Sequence, residues 1–184
     1  MKYNVSTYFT SEECSDIVKF CMEKGEMFFY DPKQNWDCRR IYDVDFKKKI
    51  LNKLINNNQL KNNLFNFSGY DTNRMIVSLT RYYDGRFLNL HRDVISEFTT
   101  VIVLTDEFED GRFVVSDTHT KEITDISNNY EKIKLEIGQG ISFDGSKTYH
   151  GVMPVNKGIR SALNIWLSED NLKHYKLKKN STLI

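Results

Sequence analysis

His91 and Asp93 form a His-x-Asp pair, a second histidine stands at position 150, and Arg160 lies ten residues beyond it. On a β-strand, residues i and i+2 project from the same face, so one strand offers an imidazole and a carboxylate side by side. A second imidazole from a distant strand completes a two-histidine, one-carboxylate face. That ligand set suits octahedral iron(II) and leaves adjacent coordination positions open. Iron(II) with one aspartate keeps a net positive charge, which attracts an anionic bidentate ligand. A 2-oxo acid fits, chelating through its 1-carboxylate and its keto oxygen. The far carboxylate of such an acid then needs a fixed cation, and the guanidinium of Arg160 grips carboxylates in a two-pronged geometry.

A single His-x-Asp is a weak signal, and its surroundings raise it. Upstream runs Tyr82-Tyr83-Asp84-Gly85-Arg86-Phe87-Leu88-Asn89-Leu90. Downstream come Ile141-Ser142-Phe143-Asp144, His150-Gly151-Val152-Met153-Pro154-Val155, Gly158-Ile159-Arg160 and Asn164-Ile165-Trp166-Leu167. In order and spacing these motifs resemble the prolyl 4-hydroxylase-like branch of the iron(II)- and 2-oxoglutarate-dependent dioxygenases, over residues 75–168. The resemblance implies that His91, Asp93 and His150 are iron ligands and that Arg160 pairs with the 5-carboxylate of 2-oxoglutarate. It places Tyr82 as a phenol near that carboxylate, Asn164 at a co-substrate-facing position and Trp166 beside the iron shell. It further implies Fe(II), 2-oxoglutarate and O2 as cofactor and co-substrates, with ascorbate as reductant. The reaction implied is hydroxylation of a C–H bond, most readily of a peptidyl proline, with decarboxylation of 2-oxoglutarate to succinate.

The departures from the family pattern fall on the substrate side. Leu88 stands where the family has Tyr. With Thr99 aligned to the family threonine, Ser96 occupies the position of an Arg that holds peptidyl substrate, and Val103 that of a Tyr supporting the oxo acid. A single Gly111 replaces the usual Gly-Gly. Two readings therefore stand beside the prolyl one: hydroxylation of a free amino acid or small metabolite, and a cupin-like metal-binding module without turnover. His119, with Asp117 two residues before it, lacks a flanking strand pattern and reads as loop; His174 reads as solvated tail.

The 184 residues suffice for one domain with a substantial core. A formal net charge of +1 argues against a strongly electrostatic nucleic-acid binder, and no apolar run reaches membrane-spanning length. The first residues lack the apolar core of a signal peptide. Cys14, Cys21 and Cys38 cannot all pair within one chain, and the first two share a helical face, where a core role is the plain reading. These features predict a reducing, cytoplasmic setting. The abundance of Asn and Lys fits an AT-rich coding genome, such as that of a large virus, a phage or a protist.

The elements that must position the site follow from pattern. Thr10-Ser11-Glu12-Glu13 reads as a capping box opening a helix that Gly25 stops. Residues 28 to 42 read as an early strand or loop, and the stretch from Asp31 to Arg40 near Trp36 as a candidate lid. A second helix is expected from Phe46 to about Asn58, with Ile50, Leu51, Leu54 and Ile55 at helical spacing, closed by an Asn-rich solvated turn at residues 56–66. Short β-rich runs follow at 75–83, 98–105, 111–116, 130–137, 140–143 and 160–168. Helices first and strands later predict an α+β domain. The resemblance makes its core a double-stranded β-helix, a cupin-like jelly-roll, braced by N-terminal helices. The expected plan is one domain over 1–184: helical support at 10–66, the β core at 75–168 and a basic, solvated tail at 173–184.

Overall fold

The computed structural model describes residues 3–31, 36–60, 67, 70–93, 96–118 and 130–168. Thirteen strands and two α-helices are present among them: β1 (Tyr3–Thr7), α1 (Ser11–Lys24), β2 (Glu26–Asp31), β3 (Trp36–Ile41), α2 (Val44–Leu60), β4 (Met75–Tyr82), β5 (Leu88–His91), β6 (Phe98–Val103), β7 (Phe108–Asp110), β8 (Phe113–Ser116), β9 (Glu131–Ile133), β10 (Gln139–Phe143), β11 (Tyr149–Val152), β12 (Val155–Gly158) and β13 (Arg160–Leu167). A single 3-10 turn, Thr72–Arg74, leads into β4. The strands form a seven-stranded sheet, β1-β10-β6-β13-β4-β3-β2, a four-stranded sheet, β5-β11-β8-β9, and a small β12-β7 pair. Two facing antiparallel sheets with helices on one outer side are the jelly-roll expected from the sequence.

The large sheet is apolar on both faces, and the period of two shows which face each residue serves. On β13, Leu163, Ile165 and Leu167 join β4's Met75, Val77 and Leu79 and the helix residues Cys14, Ile17, Cys21, Ile50 and Leu54 in one buried cluster. Arg160, Ala162, Asn164 and Trp166 alternate with them and therefore project into the space between the sheets. Ala162 and Tyr82 meet Val101, Phe113, Phe143 and Val152 there. Every functional candidate on β4, β6 and β13 thus lies on the inner face, while the helices brace the outer one.

Thr10 caps α1 as expected: its hydroxyl accepts from the Glu13 amide at 3.2 Å, and the Glu13 carboxylate accepts from the Thr10 amide at 3.0 Å. The Gly25 amide closes the helix on the Cys21 carbonyl. Cys14, Cys21 and Cys38 are unpaired and buried, and burial pushes the Cys14 thiol up to about 11.

Several expected boundaries move. Residues 28–42 hold an antiparallel pair, β2 and β3, that extends the large sheet past β4. The Asn-rich turn begins later than expected, because Asn56, Asn57 and Asn58 continue α2; Asn58 is buried, and Asn57 donates to the Thr7 carbonyl at 3.1 Å. The rest of that stretch lies outside the described residues, apart from the placement of α2. The run expected over 130–137 is strand only at Glu131–Ile133. The chain then turns at Gly138, whose φ of +77° suits glycine and whose amide and carbonyl join Val103 to Tyr8. The candidate lid, His119, His174 and the basic tail fall partly or wholly outside the described residues.

Candidate metal and oxo-acid site

β5 and β11 pair with His91 directly opposite His150, so two strands of the small sheet bring the imidazoles together. The ring centroids are 4.3 Å apart. Asp93 is not on the strand. β5 ends at His91, and the aspartate sits two residues into the following loop, a correction to the expectation that one strand presents both groups. The loop is fixed by backbone bonds: the Asp93 amide donates to the Gly145 carbonyl at 2.9 Å, and the Ser96 amide donates to the Asp93 carbonyl at 2.8 Å. Asp93 therefore swings in beside the strand end. One ligand atom from each of His91, Asp93 and His150 lies within 4.8 Å of the others.

The hydrogen bonds select the atoms that face this cluster. His91 Nδ1 lies 2.9 Å from the Asn89 carbonyl, and His150 Nδ1 lies 3.1 Å from the Thr148 carbonyl. A carbonyl only accepts, so each Nδ1 carries the proton and each Nε2 presents its lone pair. Those nitrogens lie 3.7 and 3.4 Å from the Asp93 oxygens. Asp93 Oδ2 accepts from the Trp166 indole N–H at 2.7 Å and from the Thr99 hydroxyl at 2.9 Å. Oδ1 receives neither, which leaves it the oxygen free to face a cation. Burial works to raise the Asp93 carboxyl, but His150, His91 and Thr99 together hold it below the usual range. Burial and the neighbouring His150 lower His91. A neutral His91 imidazole beside an ionised Asp93 carboxylate suits a metal.

At the other end of β13's inner row, Arg160 is 1 % exposed, and among the described residues none of its three guanidinium nitrogens has a hydrogen-bond partner. Burial pushes it down to about 10, still charged at neutral pH. Its Cα pairs across the sheet with that of Tyr82, and the guanidinium carbon lies 5.9 Å from the Tyr82 ring. Trp36 stacks on the far side of that ring at 6.0 Å. Burial raises the Tyr82 phenol, so it stays protonated and able to donate. Gly111 has no side chain because a Cβ there would come within 3.0 Å of Arg160 Cδ. Asn164 is turned aside, its amide donating to the Thr80 hydroxyl at 2.6 Å.

The structure brings together His91, Asp93, His150 and Trp166, places Arg160 beside Tyr82, and shows two further residues that the sequence reading missed. Thr99 served only as an alignment anchor, yet it holds Asp93. Trp36 was read as lid, yet its ring backs Tyr82. The signals were present: Thr99 and Trp36 both sit on the inward phase of their strands.

The model of the 2OG-Fe(II) oxygenase superfamily matches residues 77–168. The chain belongs to this superfamily. Human prolyl 3-hydroxylase 2 is 32 % identical over 77 residues, which cover 41 % of this chain and 10 % of that protein, so the chain matches only about a tenth of the curated relative's length. Among solved structures, a Pseudomonas putida prolyl-4-hydroxylase aligns with a TM-score of 0.64 at 13 % identity, covering 91 % of this chain and 92 % of that one. The viral collagen prolyl hydroxylase of Paramecium Bursaria Chlorella virus-1, in complex with 2OG, aligns with a TM-score of 0.61 at 18 % identity, covering 91 % and 96 %. Identities this low establish the fold alone.

Proposed function

We propose that the chain is an iron(II)- and 2-oxoglutarate-dependent hydroxylase of the prolyl hydroxylase type, acting on a proline-containing peptide or protein. In this reading His91 Nε2, His150 Nε2 and Asp93 Oδ1 hold the metal, and Arg160 holds the far carboxylate of the oxo acid. The observation that carries it is the presence in one interior of two groups suited to one ligand: a His-Asp-His cluster and a buried guanidinium that has no hydrogen-bond partner among the described residues. A buried, unpaired cation is costly, and an anion with a carboxylate at that end removes the cost. A monoanionic ligand set and a separate buried cation together match a dicarboxylic 2-oxo acid chelating a divalent metal.

Iron and 2-oxoglutarate, when bound, supply the oxidising chemistry: O2 is consumed, the oxo acid becomes succinate and CO2, and a substrate C–H becomes C–OH. The chain's own part is orientation. Thr99 and Trp166 fix Asp93 Oδ2 and so keep the carboxylate to one metal-facing oxygen. The two backbone carbonyls fix the tautomers of His91 and His150. Tyr82, backed by Trp36, walls the oxo-acid end, and Val101, Phe113 and Phe143 exclude water. Ascorbate serves as the reductant that restores iron(II).

Ser96 and Val103 keep a second reading open, hydroxylation of a free amino acid or small metabolite. Ser96 is fully buried and donates to the Phe98 carbonyl at 2.7 Å, and Val103, buried in the core, lines the cavity that Arg160 borders. Succinate release is the test. The protein with Fe(II), 2-oxoglutarate and ascorbate is offered proline-containing peptides and, separately, free amino acids. Stimulation by peptides, with a mass gain of one oxygen on proline, supports the reading. Stimulation by free amino acids alone replaces it with the second, and no succinate under any condition leaves a metal-binding module without turnover.

A further inference from the structure

The inner row of β13 runs from Arg160 to Trp166, whose indole donates to Asp93. At about 3.3 Å per residue the two Cα atoms stand roughly 20 Å apart. The neighbouring strand keeps the same order: Thr99 of β6, which holds Asp93, pairs with Trp166, while Val103 pairs with Ala162 near the Arg160 end. A cavity of about 580 Å³ occupies that second end. Val103, Phe113, Leu135 and Arg160 are among its walls, and none of His91, Asp93 and His150 is. Phe113 belongs to both spaces, since its ring also stands 5.9 Å from that of His150. The interior thus continues past Arg160, away from the metal cluster, into a space within the range of about 300–1,000 Å³ usual for small-molecule sites.

Arg160 is held beside this cavity by packing. Its three guanidinium nitrogens are buried and have no hydrogen-bond partner among the described residues, so a change of rotamer breaks no such bond there. Tyr82, buried and backed by Trp36, stands 5.9 Å from the guanidinium carbon and limits movement on its side. The cavity offers room on another. Charge at the exposed rim does not oppose a carboxylate that follows the cation there. Arg112 already pairs with Asp110 at 3.0 Å and Lys134 with Glu136 at 3.2 Å, and Lys132 offsets Asp106. A guanidinium offers a carboxylate more than one edge of N–H donors, so it can keep its grip as it shifts.

We infer that Arg160 is an adjustable clamp: it withdraws into the cavity behind it, and the site therefore admits dicarboxylic 2-oxo acids longer than 2-oxoglutarate, 2-oxoadipate being the first. This rests on the oxo-acid reading above and widens the class of co-substrate for it. A pocket closed behind its cation rejects one extra methylene by about 10- to 200-fold. An untethered cation with space behind it does not impose that penalty.

The test is isothermal titration of the full chain loaded with Mn(II), which reads binding without turnover. Three acids are compared: 2-oxoglutarate, 2-oxoadipate, and 2-oxohexanoate, which has the length of 2-oxoadipate without its second charge. The Kd of 2-oxoadipate is expected to lie within about tenfold of that of 2-oxoglutarate, below the discrimination of a closed pocket. That of 2-oxohexanoate is expected to be at least about 30-fold weaker than that of 2-oxoadipate, because it leaves the guanidinium unpaired. Val103→Leu and Leu135→Phe each fill part of the cavity and are expected to weaken 2-oxoadipate about tenfold more than 2-oxoglutarate. Retained 2-oxoglutarate binding shows that such a variant is folded, and equal weakening of both acids in a folded variant overturns the proposal. A wild-type Kd for 2-oxoadipate more than about tenfold weaker than for 2-oxoglutarate also overturns it, as does 2-oxohexanoate binding as tightly as 2-oxoadipate; both results leave the oxo-acid reading standing. Failure of 2-oxoglutarate itself to bind overturns that reading and the proposal together.

Discussion

Arg160 is a buried full charge, and among the described residues no carboxylate pairs with it. Under the proposed function that end of the interior is built around a ligand's charge. Arg160→Ala is expected to raise the KM for 2-oxoglutarate about 30- to 1,000-fold, since one lost charge-assisted pair is worth roughly 2–4 kcal/mol; an unchanged value would assign the carboxylate to another residue. Without metal or oxo acid the same cation is a burden, so Arg160→Met is expected to raise the melting temperature of the ligand-free protein, read by calorimetry. A lower melting temperature would mean that the guanidinium has a stabilising partner. His91 gives a pH prediction with a definite sign. Metal binding needs its neutral form, and burial lowers its pKa from the ordinary 6.5. Acid must then go further before the proton displaces the metal, so affinity is expected to hold as pH falls from 8 to 6.5 and to drop only below that. A titration that falls already near pH 7 contradicts the burial argument.

At the scale of elements, the site is a junction between a strand end, a loop and a sheet face. The inward row of β13 follows from strand periodicity, but β5 and β11 lie outside the runs expected from pattern, and His91, His150, Arg160 and Trp166 were legible through the spacing of the motifs and the resemblance those motifs carry. Asp93 was legible as a residue but not in its placement. Its position depends on bonds to Gly145, Ser96, Thr99 and Trp166, all distant in sequence except Ser96 and Thr99, and such contacts leave no local pattern. The same limit hid Asn56–Asn58, whose composition speaks for a turn while packing and the Asn57 bond to β1 carry α2 onward. β2 and β3 were blurred because the pair is short and irregular, with a register shift between Met27 and Phe29. Gly145 tests this account of the loop. A Cβ there would collide with the Thr99 hydroxyl and stand 3.1 Å from Asp93 Cβ. Gly145→Ala is expected to weaken metal binding, and Trp166→Phe to weaken it about 10- to 100-fold through loss of the donor to Oδ2. Isothermal titration with Mn(II) reads both, and wild-type affinity in Trp166→Phe would show that the indole does not orient Asp93.

At the scale of the molecule, the superfamily match begins at Val77, yet the sheet does not. β3 pairs with β4, β1 pairs with β10, and α1 and α2 cover the outer face of β4 and β13. A chain cut at residue 70 would expose Val77, Leu79, Leu163, Ile165 and Leu167 to water, and is expected to be insoluble or unfolded by circular dichroism; a cooperative melt of that fragment would show the helices to be dispensable. No helix among the described residues is long and apolar enough to cross a membrane. Under the proposed function, one interior holds a metal at one end and the far carboxylate of a 2-oxo acid at the other. Adding Fe(II) and 2-oxoglutarate without oxygen and recording the visible spectrum examines both ends at once. A weak charge-transfer band, absent without either component, lost in His150→Ala and shifted to much higher 2-oxoglutarate concentration in Arg160→Ala, is the predicted result. Bound iron with no such band would contradict the account, because the metal cluster and Arg160 would then not belong to one site.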